Sequence, residues 1–261
     1  MILAQLTALL VLLPALVSAA IFPPDTKVKS LDPKGFRRAM KANRTAVVAF
    51  VAPWCGHCQK MAPEYSKAAA NLHPLVPFYA VDCDEEQNKR LCGEQGVQGF
   101  PTVKVFPRGN QGPSLPYDSG ERTSNNLIRW ATRSVPNKVK ALPKIDEISP
   151  WVEKKSDLPR VILFNKDKKY PLLWQVLGNN FYQKIAFGHH SDPEGKSAQS
   201  LGFGPDGKNS KVLVYAAGSN EPILYEGMTK YEPLTKFFRS VVNGTADLTA
   251  SKRAAPLKDE L

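Results

Sequence analysis

The sequence predicts an α/β architecture of two similar domains in tandem, each a mixed sheet covered by helices on both faces. Three observations carry this reading. Strand-like and helix-like segments alternate over residues 26–136, the same order recurs over 145–245, and a Pro- and Lys-containing stretch near 136–144 separates them. About 240 residues remain beyond an apolar leader, which suits two small domains better than one large one.

In the first half, "AVVAFVA" (46–52) is a continuous valine-rich run, as a strand buried on both faces requires. A helix runs from the following cysteine motif through "QKMAPEYSKAAANL", with a kink expected at Pro63. "VPFYAVDC" (76–83) reads as a second strand, "EEQNKRLCGEQ" as a short helix and "TVKVF" (102–106) as a third strand. "PYDSG" leads through a fourth, and "TSNNLIRWATRSV" closes the domain as an amphipathic helix. The second half repeats the grammar. Helix "IDEISPWVEKK", strand "RVILFNK", helix "PLLWQVLGNNF", strand "KIAFGHH" and a helix near "KSAQSLGF" are followed by strands "KVLVYAA" and "PILYEG" and helix "KYEPLTKFFRSVV".

The ends carry addresses. Residues 1–20 lack charged side chains, their apolar run is too short for a comfortable membrane span, and small pairs (Val17 and Ala19, or Ser18 and Ala20) fit a cleavage site. A cleaved signal peptide is therefore expected over 1–20, with no membrane insertion afterwards. The chain closes on Lys258-Asp259-Glu260-Leu261, a receptor-read signal for retention in the endoplasmic reticulum. The expected location is the reticulum lumen, where disulfides persist. The expected organisation is signal 1–20, active domain 21–136, linker 137–144, inactive domain 145–245 and polar tail 246–261. Asn43 and Asn243 each open a glycosylation sequon compatible with that compartment. The net charge of +11 is spread over both halves without a basic block, so it reads as solvated surface favouring acidic or unfolded clients, not nucleic acid.

All four cysteines lie in the first half. Cys55 and Cys58 in "APWCGHC" admit three readings: half a zinc site, a structural bridge, or a pair that exchanges disulfides. Zinc requires four ligands, and the Cys83-x8-Cys92 spacing is too wide for a second knuckle, so no metal is expected. A bridge from Cys55 to Cys58 closes so short a ring that it constrains little of the unfolded chain. A cysteine where a buried strand meets a helix instead faces unpaired amides and the positive end of the helix dipole, which favour the thiolate. Cys83 and Cys92 are close enough to pair, and a structural disulfide is favoured over two free buried thiols.

"APWCGHC" with "GFPT" at 99–102 resembles the active thioredoxin domains of the protein disulfide isomerase family, and the wider stretch "VDCDEEQNKRLCGEQGVQGFPTVKVF" resembles small fungal members with one active and one inactive thioredoxin-like domain. The resemblance implies two tandem thioredoxin-like domains, the first redox-active. Cys55 becomes the attacking nucleophile and Cys58 the resolving thiol, with His57 stabilising the thiolate and Gly56 beside it. Trp54 and Pro53 frame an exposed sulfur. Phe100, Pro101 and Thr102 form the client groove, and Pro101 is expected in the cis form opposite the motif. No cofactor is implied beyond the Cys55–Cys58 disulfide, with glutathione or another oxidoreductase as electron partner.

The sequence also departs from the family. Many active domains read "VEFYAPWC", whereas this chain reads "VAFVAPWC", with Ala49 where a buried glutamate serves proton exchange at the inner cysteine. Lys104 matches the family's partner lysine, and Arg133 is the nearest match to a mobile arginine, one position out of register. The second half has no cysteine. Its Phe181, Tyr182, Phe203 and Tyr225 are candidates for a client surface, although core is the better reading for most of them. His189 and His190, adjacent on a strand, point to opposite faces and do not form one metal site.

The expected function is thiol–disulfide oxidoreductase or isomerase activity on unfolded or partly oxidised secretory proteins. The partners are those clients, the retention-signal receptor and other luminal oxidoreductases. The alternative is a client-binding chaperone or adaptor with weak redox turnover, because of Ala49.

Overall fold

A strand with no solvent-facing side must be apolar at every position, and Ala46–Val51 is buried throughout. In the computed structural model, which describes residues 21–204 and 210–248, this strand is the middle of a five-stranded sheet. The expected leader, the retention tetrapeptide and the tail from 249 lie outside the described residues. Among the described residues, no helix is long and apolar enough to cross a membrane.

The first domain runs β1 (Val28–Ser30), α1 (Pro33–Lys41), β2 (Ala46–Val51), α2 (Gly56–Leu72), β3 (Phe78–Asp82), α3 (Glu86–Glu94), β4 (Thr102–Phe106), β5 (Leu115–Pro116) and α4 (Ser124–Arg133). The sheet order is β1-β3-β2-β4-β5; β1, β3 and β2 run parallel, β4 runs against β2, and β5 against β4. Side chains of β2 alternate between two cores. Val47, Ala49 and Val51 join residues of α2 and α4, while Ala46, Val48 and Phe50 join residues of α1 and α3.

The second domain has the same plan: β6 (Val139–Ala141), α5 (Ile148–Lys154), β7 (Arg160–Asn165), α6 (Leu172–Asn180), β8 (Ala186–Ser191), α7 (Lys196–Ser200), β9 (Ser210–Tyr215), β10 (Pro222–Leu224) and α8 (Tyr231–Val242). Its order β6-β8-β7-β9-β10 repeats the first sheet strand for strand, with the same parallel and antiparallel pairings. Val161 and Leu163 pack with α6 and α8; Ile162 and Phe164 pack with α5 and α7.

Several boundaries differ from the sequence expectation. Helix α1 was not anticipated, yet Asp32 caps it by accepting the Gly35 amide at 2.6 Å, Pro33 opens it, and Phe36 and Met40 supply its buried face. The expected linker 137–144 is not a plain connector, because Val139–Ala141 pairs with β8 and begins the second sheet. The fourth strand of the first domain is only two residues long and precedes "PYDSG". Pro63 lies inside an unbroken α2, and α5 is preceded by a single 3-10 turn at Ile145–Glu147.

The two domains share an interface. Asn179 of α6, fully buried, donates from Nδ2 to Thr45 Oγ1 and to the Pro107 carbonyl, both at 3.1 Å. Gln175 donates to the Val135 carbonyl at 2.7 Å, and Val176 belongs to the core cluster of the first domain. Tyr182 takes Arg108 at 4.7 Å and Lys138 at 4.3 Å against its ring. Of the four residues weighed between core and client surface, Phe181 and Phe203 are core, as expected for most of them, Tyr182 is covered by two cations, and half-buried Tyr225 packs on Phe237.

Cys83 and Cys92 form a disulfide between the end of β3 and α3, inside the α1/α3 core. The double variant Cys83→Ala/Cys92→Ala is expected to lose about 2–3 kcal/mol of stability, from the loop-closure entropy of so short a ring. Denaturant titration of the two proteins checks this.

Candidate active site

Strand β2 ends at Val51, and Ala52, Pro53 and Trp54 turn the chain into α2. Cys55 is the N-cap of that helix, in extended conformation, with its sulfur accepting the Cys58 amide at 3.4 Å. Its own carbonyl accepts from the Cys58 and Gln59 amides. The Cys58 amide at the start of the helix is therefore shared between the carbonyl and the sulfur of Cys55. Cys58 lies one turn further in, with none of its surface exposed. Both thiols are free, so this is the reduced state of the pair.

The opposite wall comes from the turn before β4. The Phe100–Pro101 bond is cis, and the Cys55 thiol donates to the Phe100 carbonyl at 3.6 Å. Thr102 Oγ1 donates back to the Gly99 carbonyl at 2.7 Å and ties this turn. Trp54 is held from two sides: its Nε1 donates to Asp84 Oδ1 at 3.0 Å, and its ring meets Phe100 edge-on at 5.9 Å. Trp54 keeps 67% of its surface exposed but Cys55 only 8%. The framing aromatic is therefore the exposed group, and the sulfur sits in the floor beneath it. No atom crowds a side chain built at Gly56, so that glycine keeps the approach open and relieves no clash.

Burial opposes ionisation of Cys55, but hydrogen bonds from the Cys58 thiol and from the Cys58 and His57 amides outweigh it, and its pKa falls below the ordinary cysteine value. Cys58 moves the other way. Burial first, then its bond to Cys55 and the charge there, push it up to about 12, against a smaller lowering from the Ala52 backbone and the Arg122 charge. The environment separates the two thiols into a more readily ionised nucleophile and a partner that holds its proton.

His57 is exposed on the first turn of α2 and, with Lys60, Glu64, Glu121 and Arg122, lines a cleft of about 330 Å³. Glu64 accepts both the Lys67 ammonium at 2.7 Å and the Ser124 amide at 2.8 Å, which pins the 121–124 turn against α2. The bond from Lys67, followed by that amide, holds its carboxyl down to about 2. Arg122 was missed by sequence reasoning. The signal was its place in the loop just before Thr123, the N-cap of α4, at the end of the domain where α2 also begins.

Two expectations are corrected here. Lys104 stands opposite Val48 in the sheet, on the α1/α3 face, and donates to the Gln95 carbonyl; Cys58 lies in the α2/α4 core on the other face. Arg133 ends α4 as an exposed residue, and the arginine whose charge reaches Cys58 is Arg122. Ala49, in the same core as Cys58, is flanked in register by Ala80 and Val103, so its paired strand positions offer no ionisable side chain. The bond between Cys83 and Cys92 also leaves neither of them to complete a zinc site with Cys55 and Cys58. In the second domain, buried His189 meets Asn165 at 2.9 Å and Tyr170, whereas His190 meets the Leu142 carbonyl at 2.7 Å and Ser197 at 2.9 Å. They serve two faces. Of the two sequons, Asn243 is exposed at the end of α8, and Asn43 is half-buried with left-handed backbone after α1.

Two outcomes follow. On reduced protein, the pH midpoint for alkylation of Cys55 should lie below that of an ordinary cysteine, while Cys58 stays unlabelled at neutral pH; mass spectrometry of trapped peptides across pH reads both. Arg122→Ala removes a charge that favours the Cys58 thiolate, so it should shift the pH profile of the second exchange upward and slow that step several-fold at neutral pH, as stopped-flow measurement would show.

Residues 27–133 match the thioredoxin family model. The chain is 39% identical over 153 residues to the Schizosaccharomyces pombe thioredoxin domain-containing protein C13F5.05, mitochondrial, covering 58% of this chain and 42% of that protein. It is 32% identical over 181 residues to the Saccharomyces cerevisiae protein disulfide-isomerase MPD1 (64% and 57%) and 29% identical over 215 residues to the protein disulfide-isomerase of the same yeast (80% and 37%). The chain thus spans about half the length, or less, of the curated relatives it matches. A crystal structure of ERdj5 (form II) superposes over 83% of this chain and 29% of that one, with a TM-score of 0.59 at 18% identity, which speaks to the fold alone. With its repeated sheet order and its cysteine-capped α2, this chain is built of two tandem thioredoxin-like domains and is similar to proteins of the protein disulfide isomerase family.

Proposed function

We propose that the chain is a thiol–disulfide oxidoreductase and isomerase of the endoplasmic reticulum lumen, working through the first domain on secretory proteins. One observation carries the reading: Cys55 caps α2 with a lowered pKa while Cys58, one turn below, keeps its proton. The Cys55 thiolate attacks one sulfur of a client disulfide; that S–S bond breaks, the displaced client sulfur leaves as thiolate and takes a proton, and a Cys55–client mixed disulfide remains. Cys58 then loses its proton and attacks Cys55 Sγ. The second client thiolate leaves, so the client has gained two electrons and Cys55–Cys58 has become the disulfide. The reverse sequence oxidises a client dithiol. If the first released client thiolate instead attacks another client disulfide, the thiolate displaced there attacks the client sulfur of the mixed disulfide and releases the Cys55 thiolate, so bonds are rearranged with no net electron transfer.

No metal or organic cofactor enters these steps; electrons pass between the pair and client thiols, glutathione or another oxidoreductase. The Phe100 carbonyl and the Trp54 ring border the space an extended client segment would occupy. His57, exposed beside the sulfur, adds positive charge when protonated and so favours the thiolate. Location rests on residues 1–20 and on the terminal Lys-Asp-Glu-Leu, which implies a retention receptor as a further partner. One relative carries "mitochondrial" in its name, so the relatives by themselves do not decide the compartment.

A second reading has its own support. With Ala49 and Ala80 paired in the core that holds Cys58, those strand positions supply no carboxylate for the resolving step, which favours a chaperone or adaptor that captures clients and releases them slowly. Two variants separate the readings. Cys58→Ala should accumulate mixed disulfides on non-reducing gels, and Cys55→Ala should abolish reoxidation of a reduced client; full activity in a Cys55→Ala/Cys58→Ala variant would favour the chaperone. Ala49→Glu is expected to accelerate oxidative turnover while lowering stability by a few kcal/mol, the cost of a buried carboxylate. An unchanged turnover rate in stopped-flow assays would remove the proton-carrier explanation.

A further inference from the structure

We propose that Asp84 is a positioning residue for client binding, whose carboxylate fixes the Trp54 indole as the rim of the groove over Cys55. This role rests on the oxidoreductase reading, in which an extended client segment lies between the Trp54 ring and the Phe100 carbonyl.

Trp54 needs such a restraint. With 67% of its surface exposed, the ring lacks the close packing that locks a core side chain into one rotamer. It is held by the Nε1–H donated to Asp84 Oδ1 at 3.0 Å and by the Phe100 ring, met edge-on at 5.9 Å. Phe100 also accepts from the Cys55 thiol through its carbonyl, so indole, turn and sulfur make up one wall. Released from Asp84, the indole would be free to swing across Cys55, of which only 8% is exposed, or away from the groove.

Asp84 is itself well anchored. Its amide donates to Asp82 Oδ1 at 2.9 Å. The preceding residue, Cys83, donates its amide to the Val51 carbonyl at 2.8 Å and is bonded through sulfur to Cys92 of α3. Asn88 of α3 donates to the Asp82 carbonyl at 2.8 Å. The acceptor for the indole is therefore tied to β2, β3 and α3, close to the strand end that delivers Cys55. The second domain supplies an internal comparison. There Asn165 pairs with Ser191 as Val51 pairs with Asp82. Counting on from those pairs, Lys168 stands at the place of Trp54 and Pro193 at that of Asp84. The copy without cysteines lacks both the ring and its acceptor, so the pair accompanies the redox site and not the fold. The ionisation of Cys55 has other causes, burial and hydrogen bonds from Cys58 and His57, so ring placement and sulfur reactivity can be measured apart.

The test compares the full chain with Asp84→Ala and Asp84→Asn, using a disulfide-closed peptide that carries a phenylalanine beside one cysteine. In nitrogen-edited proton NMR spectra, the Trp54 indole N–H, assigned by its loss in Trp54→Phe, should shift and exchange faster with solvent in Asp84→Ala. It should stay near the parent position in Asp84→Asn, whose side-chain oxygen still accepts. KM for the peptide should rise about three- to tenfold in Asp84→Ala while kcat changes by less than about twofold, and Asp84→Asn should restore KM. Alkylation of Cys55 by iodoacetamide, a reagent too small to use the rim, should proceed at one rate in all three, which separates a displaced ring from a damaged fold. Parental KM in Asp84→Ala, an indole signal that does not respond, or a KM rise matched by slowed alkylation would overturn the role of Asp84 and leave the oxidoreductase reading standing. A parent chain that does not turn over the peptide would remove both.

Discussion

The chemistry depends on a handful of backbone N–H groups that have no partner inside their helix. Strand β2, apolar on both faces, cannot end anywhere but at the rim of the sheet, and α2 begins a few residues later. The first amides of α2 then meet the carbonyl and the sulfur of its own N-cap, Cys55. The ionisation of Cys55 and the inwardness of Cys58 follow from that junction. A different residue at position 55 would cap the helix equally well, but it would leave those amides serving structure alone.

The contrast between the two domains makes the same point. Both have the same sheet order, yet α6 begins after Pro171 with no side-chain cap, and no cysteine stands near it. The topology supplies a strand-to-helix junction in each copy; only the first places an ionisable sulfur there. In the second, the space near the end of the central strand is taken by Asn165, bonded to His189. Fold and chemistry are separable here within a single chain.

Much of the site was legible because it is local. Trp54, Cys55, His57 and Cys58 lie within five residues, and Phe100–Thr102 is one turn, so their mutual placement needs little knowledge of the rest. Lys104 and Arg133 were misplaced for the opposite reason. The face on which Lys104 lies is set by the register of β4 against β2, and the distance of Arg133 from Cys58 is set by which end of α4 meets α2. Neither is written in a short window. Strands β1, β6 and β10 have three residues each, too few to show a period of two, and so β6 was absorbed into a linker. Helix α1 did carry a signal, the Asp32-Pro33 start, that the coarse alternation of strand and helix overlooked.

Asn179 has a consequence for where one unit ends and another begins. Its amide fills hydrogen-bonding capacity at Thr45 and Pro107, and Val176 on the same helix seals an apolar floor that belongs to the neighbouring core. Severed before residue 139, the N-terminal half would wet that floor and leave those polar atoms to solvent. The smallest piece that keeps its native interior is therefore the pair, with α6 of the second domain covering part of the first domain's core.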